Sequence, residues 1–307
     1  MKRITKLFLT VAVVLFAGSS FAQDITFGDA FNKGNEAYQA GNALEAVAQF
    51  KQALKLAQEA GDEGIEIAEN CKDLIPQILL AEAGKNVAAK NYDKAEELFN
   101  DALATATEYG NADMAKSAKE KLAQIPMAKG ADALNSKDFT TAIDCFKKAT
   151  EQNPQNATAF YYLGAAQNSA NMDADAEVSL KKAIELGNAN AKGMLKNMYM
   201  VELSSANKAK NFAKVVEAAE KVNALNPDAP DAQASLFGGI AAYNAKNYTK
   251  AINLLKGAGN NANANYYLAM SYDKAGNKKQ ACVYFKKIVS EAKFAAFAKQ
   301  KITALGC

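Results

Sequence analysis

The chain of 307 residues has no histidine and no tryptophan. Without histidine there is no Ser-His-Asp triad, no Cys-His pair and no imidazole-ligated metal site. Proline is scarce, with 5 residues, whereas alanine makes up about a fifth of the chain. Alanine has the highest helix propensity and proline the lowest, so this composition points to helix. The 4 cysteines form no C-x-x-C pair, which disfavours a zinc site. Half of the residues are hydrophobic, enough for a packed core, and the length would suit two ordinary domains or one elongated one. The formal charge of +3 raises the question of a nucleic-acid partner.

The first 22 residues answer that question. Lys2, Arg3 and Lys6 precede an apolar run from Leu7 to Ala17, and small residues stand at Ser20 and Ala22. A basic head, a short apolar core and small residues at −3 and −1 describe a secretory signal peptide cleaved after Ala22. The core is shorter than the roughly 20 residues a membrane span requires. No other stretch could cross a membrane. The three basic residues carry the whole excess, so the 285 residues that follow are electrically balanced. No basic block with interleaved aromatics remains, and a nucleic-acid partner is not expected.

The rest of the chain repeats. A small residue stands about twelve positions before an alanine, a large residue follows that alanine by four, and a small or apolar one by seven. Six sets follow this spacing: Gly34, Ala46, Phe50 and Ala53; Ala83, Ala95, Phe99 and Ala102; Gly130, Ala142, Phe146 and Ala149; Gly164, Ala176, Leu180 and Ala183; Gly239, Ala251, Leu255 and Ala258; and Ala269, Ala281, Phe285 and Ile288. A seventh, degenerate set, between the fourth and the last two, has Leu203, Val215, Ala219 and Val222. This is the pattern of a helical hairpin. The small residues lie where two antiparallel helices cross, and the large one fills the gap beside the crossing. Turns such as Asn91-Tyr92-Asp93-Lys94, Lys137-Asp138-Phe139 and Asn247-Tyr248-Thr249-Lys250 join the two helices, and Asn153-Pro154 and Asn226-Pro227 stop second helices.

The pattern resembles the tetratricopeptide-repeat family, most closely at Ala157 to Asn188, where Phe160, Leu163-Gly164, Ala176, Leu180 and Ala183 occupy signature positions. The resemblance implies an all-α, right-handed superhelical solenoid of about seven hairpins. Successive signature alanines or their equivalents are 49, 47, 34, 39, 36 and 30 residues apart. The first two intervals hold similar insertions, with Ala60-Gly61-Asp62 matching Tyr109-Gly110-Asn111 and Ile75-Pro76 matching Ile125-Pro126. Each insertion is expected to add a helix that bends or restarts at its proline. Residues 23–152 therefore read as elongated repeats, 153–290 as regular ones and 291–307 as a capping helix, with Phe294, Phe297 and Ile302 on its apolar side. An antiparallel cap would bring Cys307 to the end of the hairpin that carries Cys282. A disulfide between them is one expectation and two free thiols the other. Cys145 reads as a small buried apolar residue, and Cys71 is unassigned.

Little in the chain suggests catalysis. Ser179 to Lys182 and Ser290 to Lys293 have the Ser-x-x-Lys spacing, but the companion Ser-Asp-Asn and Lys-Thr-Gly elements are missing. Gly257-Ala258-Gly259 lacks the preceding strand and third glycine of a phosphate loop. Asn156-Ala157-Thr158 and Asn247-Tyr248-Thr249 match the glycosylation acceptor, which matters only in a eukaryotic secretory pathway. The expected protein has no catalytic residue, cofactor or metal.

The resemblance implies a partner site along the concave face, on the first helix of each hairpin. Its positions here carry Tyr161, Tyr162 and Asn168; Met200 and Asn207; Phe237, Tyr243 and Asn244; and Tyr266, Tyr267, Asp273 and Lys274. Aromatic rings and amides with little charge suit a peptide or partner helix, because tyrosine gives large contact area at low entropy cost. Some family members clamp acidic chain ends with lysine, asparagine and arginine. Asn35 fits one clamp position, but Phe31, Ala81, Gln124 and Ala128 occupy the others, so that activity is not expected. The reading is an exported binding scaffold, periplasmic or else secreted, for an unidentified protein or peptide, with a glycan- or small-ligand-binding module as the alternative.

Overall fold

The computed structural model describes residues 26–307, and the expected signal peptide lies outside the described residues. Among them the regular structure is helical throughout, with no strand. Two compact units divide the chain, the first ending at Asp132 and the second running from Ala133 to Cys307.

The first unit contains α1 (Phe27–Gln39), α2 (Ala43–Glu59), α3 (Ile65–Ala88), α4 (Tyr92–Glu108) and α5 (Ala112–Leu122), with a short 3₁₀ turn at Gly61–Gly64. Helix α6 (Ile125–Asn135) carries the chain past Asp132. The second unit continues through α7 (Phe139–Gln152), α8 (Ala157–Ser169), α9 (Asp173–Glu185), α10 (Ala191–Lys208), α11 (Phe212–Ala224), α12 (Ala232–Asn244), α13 (Tyr248–Lys256), α14 (Ala262–Lys274), α15 (Lys278–Lys287) and α16 (Ala295–Leu305). Within each unit consecutive helices pack as hairpins.

The repeated residues do what their spacing requires. Ala46, Ala95, Ala142, Ala176, Ala251 and Ala281 are completely buried, as are the large partners Phe146, Leu180, Leu255 and Phe285. A β-carbon added at Gly34 would come within 2.7 Å of the Phe50 ring, and one at Gly164 within 2.7 Å of Leu180. At Gly239 it would strike Leu255. In each case the missing side chain on one helix makes room for the large one on the next. Packing this close leaves no space for an added methyl group without a shift of the backbone or of the large side chain.

The hairpin turns share one geometry. Gly41, Lys90, Lys137, Asn171, Lys210, Lys246 and Gly276 all have positive φ, between 54° and 83°. The amide of the following residue then donates to a carbonyl five residues back, as in Asn42 to Ala37 (2.8 Å), Asp138 to Ala133 (2.8 Å) and Asn247 to Ala242 (2.9 Å). This satisfies a carbonyl that the helix end would otherwise leave open. The next helix starts at once. Asp138, Asn211, Asn247 and Asn277 each accept a bond from the backbone amide three residues on, at 3.1–3.2 Å. In these four hairpins one turn closes the first helix with a left-handed residue and caps the second with Asn or Asp, whereas Asn42, Asn91 and Met172 make no side-chain cap bond in the other three.

The two similar insertions have different outcomes. Helix α3 runs unbroken through Pro76, although proline removes a bond from the ladder. Ile75, Ile78, Leu79 and Cys71 are buried around it, between α2 and α4, and this packing holds the helix together. The second insertion breaks at Ala123 and Gln124, and Pro126 enters the first turn of α6, where its missing amide costs nothing. Ala118 is the one buried residue of α5, so no comparable packing bridges the break. At the end of the chain the last helix begins at Ala295 rather than Glu291. The amides of Phe294 and Ala295 both donate to Glu291 (2.8 Å each), forming a turn before the helix.

Four of the left-handed positions are lysines, and a residue with a β-carbon pays about 1–2 kcal/mol there that glycine does not. Lys210→Gly and Lys246→Gly should each stabilise the second unit by about 1 kcal/mol, read as a higher urea midpoint. A lower midpoint would show that the lysine side chains hold these turns by contacts of their own.

Candidate binding face

In the second unit the first helices α8, α10, α12 and α14 lie beside one another, so residues at equivalent positions fall on neighbouring rods. The expected site residues form two groups on them. Tyr161 and Tyr162 meet edge to face at 5.3 Å, and Tyr162 stacks on Phe146 of α7 at 5.5 Å. Further along, Tyr243 meets Tyr267 edge to face at 5.4 Å, and Tyr267 meets Tyr266 in the same way at 5.1 Å. Tyr248 joins Tyr243 at 5.7 Å. Among the described residues no ring contact links the two groups. Between them α10 presents Met200, which packs on the core, and Asn207, which is exposed. Phe237 also packs on the core, Asn168 is half-buried, and Asn244 and Lys274 are exposed.

Two of the expected residues are held by the last helix. Tyr266 stacks on Phe294 at 4.7 Å and packs against Phe297 at 5.7 Å. Asp273 forms an ion pair with Lys301 at 2.7 Å. Helix α16 thus lies over this end of the face. It is tied down at its far end, where Cys307 is joined to Cys282 across a Cα separation of 5.6 Å, and Lys286 Nζ donates to the Cys307 carbonyl at 3.0 Å. Cys71 is buried, and burial pushes its thiol up to about 12, so it stays protonated and inert at neutral pH. Cys145 is half-buried and also unbridged.

One residue of the face escaped the sequence reading. Val201 stands two positions before Leu203, as Tyr162 stands before Gly164, Phe237 before Gly239 and Tyr267 before Ala269. Its side chain is 67% exposed, unusual for an apolar residue on a helix that buries its neighbours. Strict alignment of the degenerate fifth hairpin with the others would have found it.

Burial raises the phenols of Tyr243 and Tyr266, and it raises Tyr199 further, with help from a hydrogen bond to Glu177. These rings are therefore neutral across the physiological range. Near Tyr199, Lys221 stands 3.4–3.7 Å from Glu217, Glu202 and Glu177 and 5.4 Å from the Tyr199 ring centre, joining α9, α10 and α11. Lys181 also pairs with Glu177 at 2.7 Å, so these carboxylates are engaged with lysines in surface ion pairs. Ser179 is buried and donates to Gln167 at 2.7 Å, while Lys182 pairs with Glu185 at 3.0 Å, so the Ser-x-x-Lys spacing does not form a catalytic pair. Gly259, with φ of +74°, lies in the turn between α13 and α14. Asn156 and Asn247, the asparagines of the two glycosylation-like triplets, both cap helices. Among the described residues no His, Cys, Asp or Glu cluster could hold a metal, and no helix is long and apolar enough to cross a membrane.

Two family models match within the second unit and at its start. One, described as TPR repeat, covers residues 135–168, and another, described as tetratricopeptide repeat, covers 263–293. These two stretches are tetratricopeptide repeats. The solved structures similar to this chain include a TPR-repeat protein of Bacteroides fragilis (20% identity, 75% of this chain and 97% of that one, TM-score 0.42). The TPR domain of P58(IPK) is 13% identical over 91% of this chain and 97% of that one, with a TM-score of 0.31. YrrB, described as a TPR protein with an unusual peptide-binding site, is 18% identical over 61% of this chain and 97% of that one, with a TM-score of 0.31. No curated protein matches the chain significantly.

The disulfide closes a long loop, worth about 3–4 kcal/mol in the loop-entropy model. Reduction should therefore speed amide exchange in α16 and leave α8 to α11 unchanged, because stacked repeats couple mainly to their neighbours. A denatured, unreduced sample should titrate two free thiols. Four thiols, or exchange in α16 indifferent to reductant, would contradict the clamp.

Proposed function

We propose that this TPR protein is an exported, non-catalytic scaffold that holds a peptide or partner helix along the first-helix face of its second unit. The observation that carries the reading is the row α8, α10, α12 and α14, whose half-exposed rings and amides lie beside one another while the crossings beneath are sealed. Tyr161, Tyr162, Phe237, Tyr243 and Tyr267 supply contact area, exposed Val201 adds an apolar point between the two aromatic groups, and Asn168, Asn207 and Asn244 supply hydrogen bonds. Tyr266 and Asp273 belong to the seat of α16 and mark the end of the available face. A glycan reader is less well supported, because sugars stack on flat ring faces and here Tyr243, Tyr266 and Tyr267 pack edge to face on one another.

Export rests on the basic head, apolar core and small residues of positions 1–22, and the periplasm of a Gram-negative bacterium is the compartment they suit. A disulfide between Cys282 and Cys307 fits an oxidising compartment.

In-cell crosslinking with mass spectrometry tests the face. A Tyr162→Ala, Tyr267→Ala double variant should lose its specific crosslinks, with binding weakened about tenfold or more, and keep its helical spectrum. A folded variant with unchanged crosslinks would overturn the face. Fractionation tests export separately: the protein should appear in the periplasmic fraction beginning at Gln23, and an unprocessed cytoplasmic form would overturn it.

A further inference from the structure

The electrical balance of the chain after Ala22 conceals a strong separation of charge. Residues 26–132 carry 11 lysines against 18 Asp and Glu, a formal charge of −7. Residues 133–307 carry 22 lysines against 14, a charge of +8. All of the second imbalance lies at the end, where residues 246–307 hold 11 lysines and two carboxylates, Asp273 and Glu291. Asp273 is already paired with Lys301. Lys256, Lys274, Lys278, Lys279, Lys287 and Lys299 are exposed. Arg3 is the chain's single arginine, so the basic surface is built from lysine alone.

Each charged surface has a shape. Between α13, α14 and α15 lies an open hollow of about 380 Å³, with Lys256 and Lys287 on its rim and Asn260 and Asn265 beside them. Lys287 is steadied by the Tyr284 ring, 4.6 Å away. In the first unit the turn from α2 to α3 presents Glu59, Asp62, Glu63 and Glu66, all exposed on an outer corner.

We propose that the lysine-rich end of one copy docks on the acidic first unit of a second copy, with carboxylates of the α2–α3 corner entering the hollow between Lys256 and Lys287. Complementary charge on one chain makes the contact head to tail, and a heterologous contact of this kind extends into open chains unless its rotation closes a ring. Lysine is a hydrated point charge rather than a planar fork, which favours a salt-sensitive contact over fixed bidentate recognition of phosphate. None of the residues named for the partner face lines the hollow, so the inference does not depend on the proposed partner site.

Sedimentation of the chain from Gln23, at about 100 μM, tests the inference. Self-association should be seen at about 20 mM salt and weaken about tenfold or more at about 500 mM, where screening is strong. Lys256→Glu with Lys287→Glu should give a monomer, and so should Glu59→Lys, Glu63→Lys and Glu66→Lys together. Mixed in equal amounts the two variants should associate, because each keeps the end that the other lacks. That recovery also shows that both are folded. Charge-neutral Gln versions at the same positions should weaken association less than the reversals do. A wild-type monomer at low salt, or two monomeric variants that stay apart on mixing, would overturn the proposal. So would a wild-type monomer that instead binds heparin or vesicles containing anionic lipid, which would assign the lysine surface to a polyanion.

Discussion

The structure depends on one contact made again in hairpin after hairpin. A residue with little or no side chain on the first helix faces a large apolar residue on the second, sixteen positions later. Gly34 faces Phe50, Gly164 faces Leu180 and Gly239 faces Leu255. Two helices can approach this closely only where one omits its side chain, and the omission leaves a space of fixed shape for the other to fill. With the crossing set, the chain must reverse within a few residues, and a left-handed residue does so at every hairpin turn. What the first helices present on their other side then becomes free to vary, and that is where binding differences in a repeat protein arise.

Most of this was legible in the sequence because it repeats. Seven copies of a sparse pattern specify a fold that one copy could not, and the buried residues are the ones the pattern marks. Turn geometry was less legible. Lysine at Lys90, Lys137, Lys210 and Lys246 gives no hint of positive φ, since lysine has no preference for it, and only alignment with Gly41 and Gly276 exposes the shared position. The insertions were half legible. Ile75-Pro76 and Ile125-Pro126 look alike in sequence, and what separates them is the packing of the helix before the proline, with Ala68, Cys71 and Ile75 buried in α3 but Ala118 alone in α5, which no local signal carries. The binding residues were legible as a row of positions but not as a set of contacts. Tyr266 and Asp273 stand at positions equivalent to open ones, and only the return of α16 over them shows that they are occupied.

Charge gave the most misleading summary. A balanced total suggested a neutral surface, yet the acidic and basic residues are sorted along the chain, and the largest excess falls on the last two hairpins and the helix that covers them. Surface lysines contribute little to stability, so their concentration there is better explained by what approaches that end than by folding. The chain therefore offers two kinds of surface. One is aromatic and amide-rich, on the row of first helices, and the other is electrostatic, acidic in the first unit and basic on the last hairpins of the second.

The central claim is that the small-to-large crossing holds the hairpins that carry it, and a double-mutant cycle at one crossing tests it most directly. Gly164→Leu should overpack the site and cost about 1–3 kcal/mol, and Leu180→Ala should open a cavity and cost about 2–5 kcal/mol. If the two positions share one space, the added leucine fills what the alanine vacates, and the double variant should be more stable than the sum of the singles by about 1–3 kcal/mol. Strict additivity in urea unfolding of the second unit would mean that the two residues do not share that space, and the crossing would not be what sets the fold.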